Sequence, residues 1–526
     1  MNRRREEQIF LVVATLIGIY TGLAVVCFRL AIEWTRLLLF GARLRPEFPR
    51  VLVVPAGVGL VVAVLVVTLF PAVRGSGVNQ TKAALYIYDG YIAFRTVIGK
   101  FITCALAIGS GQSLGPEDPS LQIGAGLASA LGRAFKLPRE RIRYIPPVGA
   151  AAGLAAAFSS PITAVLFVIE EVIGRWTAGV LGAVILSAVA SVVTEQWFLG
   201  DEPLFRVPAY HLVHGSELIA YAALGLIGGG VALVFVKAVV WLRPRLRAMP
   251  PWTWYVQPAI AGLIVGAIGV RFPQVMGAGY EYIDQAMHDE YGWRTLVALC
   301  GLKVVATTTS FVSGTPGGLF APTLFIGAML GSAVCAIERI VAPGVTGPIG
   351  TYALVGMGTL FAGILRAPMT SVFMIVEVSG NYSIILPVMI SNTIAYFISR
   401  RFQHHSLFDV LSRQDGTELP SMEEEREFDI RTVQDAMRPA EGLMLSADDA
   451  MALADARAAH VRLFPDQSIA AALRVLRQRP LVPVVHRADP TRLVGVIAWN
   501  DVIREDAAGG DVIKSDAIAP LDDSRS

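Results

Sequence analysis

Over its first 400 residues the chain returns repeatedly to apolar runs, at approximately 7–30, 51–72, 97–109, 119–135, 146–173, 178–198, 216–242, 256–271, 295–312, 319–341, 351–378 and 384–399. A helix of about 20 apolar residues crosses a hydrocarbon core. Backbone polar groups inside a bilayer must pair internally, so the runs predict an all-α polytopic membrane protein. Several are too short to span, or are cut by Gly and Pro. These predict tilted, broken or re-entrant helices shielded by protein, as in transporters and channels. The first run follows "MNRRREEQ" and has no small-residue cleavage site behind it, which predicts a retained helix. Arg3, Arg4 and Arg5 before that run, with Arg400 and Arg401 after the last one, predict that both termini are cytoplasmic, in a cell (inner) membrane.

Composition removes other classes. A net charge of +2 gives no case for nucleic acid, and no GxxxxGK[ST] phosphate loop is present. The "GAGLAS" at 124–129 reads as close helix packing rather than a dinucleotide site. Cys27, Cys104, Cys300 and Cys335 fall in or beside apolar runs without metal-type spacing and read as small core residues. No His/Cys/acid cluster has metal spacing and no Ser has an evident base, so neither an enzyme nor a metal or cofactor is expected.

The chain also contains a duplication. "SGQSLGPEDPSLQIGAGLASA" from Ser110 aligns with "SGTPGGLFAPTLFIGAMLGSA" from Ser313, and Lys100 falls on Lys303 in the same register. "GAAAGLAAAFSSPITAVLFVIEEV" from Gly149 aligns without a gap with "GMGTLFAGILRAPMTSVFMIVEVS" from Gly356. Repeats of this kind in transporters meet near the bilayer midplane, where broken helices aim their N-terminal amides at an anion. Each Gly-rich turn precedes a helix, so it offers free N–H groups and close backbone approach. A further turn, "GSGVNQTKAALY" from Gly75, adds the Ser76 hydroxyl at a third helix start.

These motifs resemble those of the CLC chloride channel and transporter family. "GSGVN" at 75–79 is similar to its GSGIP segment, "GPEDP" at 115–119 to G(K/R)EGP, and "GGLFAP" at 317–322 to GGxFxP, in the same order, and the likeness covers approximately residues 10–410. The resemblance implies the CLC fold, with two inverted repeats at approximately 51–200 and 216–400. It also implies a homodimer with one anion path per subunit, whose partners are chloride, protons and lipid. It assigns chloride binding to Ser76, Gly115, Pro116, Leu319, Phe320 and Phe408, and makes Glu117 the external gate. A carboxylate suits that part, being an anion that one proton neutralises, and a charge at membrane depth costs about 2.5–3.5 kcal/mol even on lenient scales.

Three residues depart from the family pattern. Pro116 stands where the family has Lys or Arg, and Asp118 replaces a Gly; Asp118 itself reads as an acid in a water-exposed turn. Both changes predict weaker anion binding or slower throughput, unless Lys100 or Lys303 compensates. Phe408 takes the place of the family's central Tyr, which keeps the ring and removes a hydroxyl donor; Ser406 is a candidate replacement donor.

In exchangers of the family one helix carries two adjacent acids, the second relaying protons; here they are Glu170 and Glu171, while the second repeat has Glu377 and Val378. The expected function is therefore proton-coupled chloride antiport, with Glu117 and Glu171 as proton-transfer residues. The alternatives are a passive voltage- or pH-gated chloride channel of the same fold, or an antiporter for another anion. After residue 410 the sequence becomes charged and Ala-rich. Residues 411–430 read as a linker, 431–510 resemble a small α/β CBS-like domain, and 511–526 read as a flexible tail. Ala498, three residues before Asp501, stands where adenine-nucleotide-binding CBS motifs have Ser or Thr, which argues against nucleotide binding.

Overall fold

The computed structural model describes residues 3–41, 48–174, 178–201, 205, 215, 217–341, 346–417, 419, 432–440, 447–458, 461–467, 469–476, 479–486, 489 and 492–502. The chain forms two compact units, Met1–Leu419 and Pro420–Ser526.

The first unit is helical. Its elements are α1 (Arg3–Phe40), α2 (Phe48–Val64), α3 (Gly77–Tyr86), α4 (Phe94–Gly109), α5 (Glu117–Ala134), α6 (Arg139–Ile142), α7 (Ile145–Phe158), α8 (Pro161–Phe167) and α9 (Ala178–Leu199). There follow α10 (Glu217–Arg247), α11 (Gln257–Arg271), α12 (Tyr280–Met287), α13 (Trp293–Val312), α14 (Phe320–Val341), α15 (Ile349–Leu365), α16 (Pro368–Ser379), α17 (Ile385–Phe402) and α18 (Leu407–Gln414). Among the described residues, seven helical stretches are long and apolar enough to cross a membrane, from Glu7–Phe40 to Tyr382–Gln414. Phe320–Val341 is the most enclosed, with 83% of its apolar window buried against 33% for Phe48–Leu69. A helix so apolar and so enclosed belongs to the interior of a bundle rather than to a lipid face.

Two apolar runs that read as continuous are each two helices. The run 146–173 breaks between α7 and α8, and 351–378 between α15 and α16, with Pro161 and Pro368 opening the second helix of each pair. Proline fits a first helical turn, where its missing N–H has no partner to lose. Ser159 (φ 51°) and Arg366 (φ 58°) both adopt the left-handed conformation that ends the preceding helix. These residues occupy equivalent places in the two repeats.

The duplication is also visible in packing. Gly124 of α5 faces the Gly149 carbonyl of α7, and Gly327 of α14 faces the Gly356 carbonyl of α15, so close that a Cβ at Gly124 or Gly327 would collide with backbone. Small residues at these positions let each helix pair approach backbone to backbone. Cys104, Cys300 and Cys335 are buried in the bundle, whereas Cys27 lies on the outer side of α1.

The second unit contains a three-stranded antiparallel sheet of order β1-β3-β2, from β1 (Arg438–Pro439), β2 (Leu481–Val485) and β3 (Leu493–Ala498). Helices Val433–Ala436 and Ile469–Leu476 accompany it, and Val482, Val484, Ile497 and Ile469 form its core. Residues 420–431, covering most of the expected linker, and the expected tail 511–526 lie outside the described residues.

Candidate anion pathway and proton-transfer residues

The two duplicated turns meet face to face. The Gly115 amide donates to the Gly318 carbonyl at 2.8 Å, and the Gly318 amide returns the bond to Gly115 at 2.8 Å. Upstream, Gly111 (φ 92°) and Gly314 (φ 84°) turn each chain through a left-handed conformation that favours glycine. This pairing fixes the starts of α5 and α14 beside one another, with the amides of both first turns at the centre of the unit.

Lys100 and Lys303 stabilise the neighbouring loops. Lys100 Nζ donates to the carbonyls of Val73 (3.2 Å) and Gly75 (3.0 Å), just before α3; Lys303 Nζ donates to those of Val275 (3.0 Å) and Gly277 (2.7 Å), just before α12. The segment "GAGY" at 277–280 is therefore the second copy of "GSGV" at 75–78. Ser76 is replaced there by Ala278 and Val78 by Tyr280.

Tyr280 is the site residue that the sequence did not reveal. Its hydroxyl donates to Oε1 of Glu117, and Oε2 of Glu117 accepts from the Ala321 amide at 3.3 Å. The Glu117 side chain is fully buried. Its carboxylate is thus held at the first turn of α14, beside Leu319 and Phe320, and a Cβ on Gly115 would collide with it. Pro116 is the N-cap residue of α5 and brings no polar side chain.

Asp118 is not in a water-exposed turn. It is 2% exposed, and its carboxylate accepts from the Gly77 amide (3.1 Å), the Val78 amide (2.9 Å) and the Ser76 hydroxyl (3.3 Å) at the start of α3. The reason is geometric: the adjacent Gly318 leaves room for the Asp118 side chain to turn towards those amides.

Phe408 lies in the first turn of α18 and is buried against Phe320, with ring centroids 6.3 Å apart. Phe320 also meets Phe158, Phe167 and Phe361, which makes an aromatic cluster beneath the first turn of α14. Asn79 Nδ2 donates to the Phe408 carbonyl at 2.8 Å, tying α18 to α3. The Ser406 hydroxyl is engaged in capping α18: it accepts from the Asp409 amide at 3.2 Å and donates to Asp409 Oδ2 at 2.8 Å.

The adjacent acids Glu170 and Glu171 have different surroundings. Glu170 caps α16 in the other repeat through Thr370, whereas Glu171 Oε1 accepts from Lys82 Nζ at 2.8 Å. Asp409 stands 3.5 Å from the same ammonium, so Lys82, Glu171 and Asp409 form a buried charged triad linking α3, the end of the α8 segment and α18.

A duplicated bundle of broken helices, whose N-termini converge on buried carboxylates, has the architecture of a membrane anion-transport protein. Residues 58–400 match the family described as voltage gated chloride channel. A ClcB-like chloride channel protein of Ralstonia nicotianae is 32% identical over 426 residues, covering 78% of this chain and 99% of the relative. The H(+)/Cl(-) exchange transporter ClcA of Salmonella paratyphi B is 30% identical over 403 residues, covering 74% and 85%. The crystal structure of a slow cyanobacterial Cl-/H+ antiporter superimposes with a TM-score of 0.71 at 24% identity, covering 77% of this chain and 97% of that one. The chain belongs to the voltage gated chloride channel family, and it is an integral membrane protein with the CLC transporter fold.

Proposed function

We propose that this protein is a proton-coupled chloride antiporter in which Glu117 is the external gate and Glu171 the internal proton relay. The observation that carries the reading is the seat of Glu117: a buried carboxylate held by the Ala321 amide and the Tyr280 hydroxyl, where the start of α14 would otherwise receive an anion. Such a carboxylate competes with chloride when charged and leaves when protonated, so one proton exchanges for anion access. Ser76, Gly115, Pro116, Leu319, Phe320 and Phe408 line the anion path in this reading. Glu171 has no acidic counterpart in the second repeat, where Val378 stands, which supports a role beyond holding the fold together.

The protein acts as a homodimer in the inner membrane with both termini cytoplasmic. Its tail, residues 431–510, is a CBS-like unit that serves assembly or regulation. Asp501 there accepts from Arg438 Nε (3.0 Å) and the Ala498 amide (2.8 Å), so its carboxylate is committed within the unit, which supports a tail that binds no adenine nucleotide. The decisive experiment places purified protein in liposomes under a chloride gradient while external pH is recorded. Protons moved uphill by chloride establish exchange, and chloride flux without proton movement establishes a passive channel.

A further inference from the structure

Glu117 and Asp118 are consecutive, yet different helices hold their carboxylates. Glu117 turns to α14 and Tyr280; Asp118 turns to α3 and takes its Gly77 and Val78 amides and the Ser76 hydroxyl. These three donors are what a helix start presents to a bound anion. The surroundings fit the side chain closely. A Cβ on Gly77 would lie 2.6 Å from the Asp118 carbonyl oxygen and 3.0 Å from Oδ1, and a Cβ on Gly318 would lie 2.9 Å from the Asp118 Cβ. The titratable groups acting on Asp118 are Lys100 and the Cys104 thiol on α4, and Glu117 on its own helix; α3 and the Gly318 turn bring neutral groups to the contact.

We infer that Asp118 is a tethered anion filling the α3 seat, and that chloride reaches the donors of Ser76, Gly77 and Val78 only when Asp118 withdraws or takes up a proton. The inference rests on the reading of this chain as an anion transporter. Carboxylate and chloride are both monovalent acceptors of N–H and O–H bonds. The carboxylate is attached, so its effective concentration at the seat is on the order of millimolar or higher, and free chloride must exceed that to displace it. Protonation removes the charge that the α3 amides favour and converts an acceptor oxygen into a donor. Two neighbouring acids then stand in two seats, Glu117 at α14 and Asp118 at α3. Chloride binding at the α3 seat is weak where Asp118 is ionised and grows as pH falls.

The test is calorimetric titration of chloride into the purified full-length protein carrying Glu117→Gln, so that the remaining pH dependence is not that of Glu117. Binding at pH 7.5 is expected to tighten at least tenfold when Asp118→Asn or Asp118→Gly is added. Without either addition, binding is expected to strengthen as the pH is lowered from 7.5 to 4.5. Ser76→Ala added to Asp118→Gly should reverse most of the gain. Chloride binding unchanged by both Asp118 substitutions, or a Glu117→Gln protein whose binding does not strengthen at low pH, overturns the inference. Asp118→Asn keeps the side-chain shape, and the pH series needs no change at Asp118, so a misfolded Asp118→Gly protein leaves the question decidable. Native protein that moves neither chloride nor protons in liposomes sinks the functional reading. Native protein that exchanges them while both Asp118 variants bind as before sinks this inference alone.

Discussion

Glu170 and Glu377 exchange helix caps across the duplication. Glu170 Oε2 accepts from the Thr370 amide (3.0 Å) and hydroxyl (2.8 Å) at the start of α16, and Glu377 Oε2 accepts from the Thr163 amide (2.8 Å) and hydroxyl (2.6 Å) at the start of α8. The first of the two adjacent acids is thereby assigned to structure. Carboxylates at helix starts satisfy orphan amides and complement the dipole. Replacing either acid by Ala removes such a cap, so each variant should lose about 1–2 kcal/mol of stability and still couple protons to chloride. Thermal unfolding in detergent, with the liposome assay beside it, checks both halves.

Glu117→Gln should remain permanently in the uncharged condition. It cannot take up or release a proton, so anion flux should persist while proton coupling is lost. Normal chloride-driven proton pumping in this variant would remove Glu117 from the gating role.

Tyr280→Phe deletes a hydroxyl that donates to the Glu117 carboxylate. A donor to a carboxylate favours its charged form, so without that donor Glu117 is protonated more readily. The rise of chloride flux with acidity should therefore begin at a higher pH in Tyr280→Phe than in the native protein. Flux measured over a series of external pH values gives the answer; a profile that stays in place or moves the other way contradicts the assignment.

Glu171→Val copies Val378 of the second repeat and should abolish proton flux while chloride still passes. It also leaves the Lys82 ammonium with Asp409 as the remaining acid of the triad. A buried charge left without its partner costs about 3–5 kcal/mol. Glu171→Val keeps Lys82 paired with Asp409 and should thus be more stable than the Lys82→Met/Glu171→Val double variant, which leaves the Asp409 carboxylate buried without a cation, with neither moving protons. Retained coupling in Glu171→Val would mean that protons take another route.

Much of this site is legible in sequence because it is local or repeated. The turn at Gly115 and its copy at Gly318 share a fixed offset, and the bridge between them is the structural expression of that repeat. The helix breaks before Pro161 and Pro368 were hidden by uniformly apolar composition, although both prolines sit where a first turn accepts them. Tyr280 escaped for a different reason. Its segment copies "GSGV" with two of four residues changed, and what identifies the copy is the matching Lys100 and Lys303 bonds to loop carbonyls. The Lys82–Glu171 contact joins residues 89 apart in sequence. Its only trace there is a lysine on an otherwise weakly polar helix. Asp118 shows the limit most clearly, since which helix start receives its carboxylate is decided by the packing of α3 against α5.

Phe408 lines the anion path in the proposed reading. Its ring lies against Phe320, whose backbone begins α14, while its carbonyl is held by Asn79, so the position of the side chain is fixed from two sides. The Ser406 hydroxyl is occupied in capping α18 and does not supply the donor that Phe408 lacks. A hydrogen bond to a charged partner contributes about 1.5–3 kcal/mol, so one missing donor corresponds to roughly 10- to 150-fold weaker binding. Weak retention of the central ion should let chloride pass without its proton, giving more chloride moved per proton than in a tightly coupled exchanger. Phe408→Tyr should tighten chloride binding and bring the flux ratio down together, because both follow from the same hydroxyl. Calorimetric titration of chloride, with chloride and proton fluxes recorded on the same preparations, measures the two quantities. Tight binding in the native protein that Phe408→Tyr leaves unaltered would show that the ring lies away from the ion and that the coupling ratio is set elsewhere.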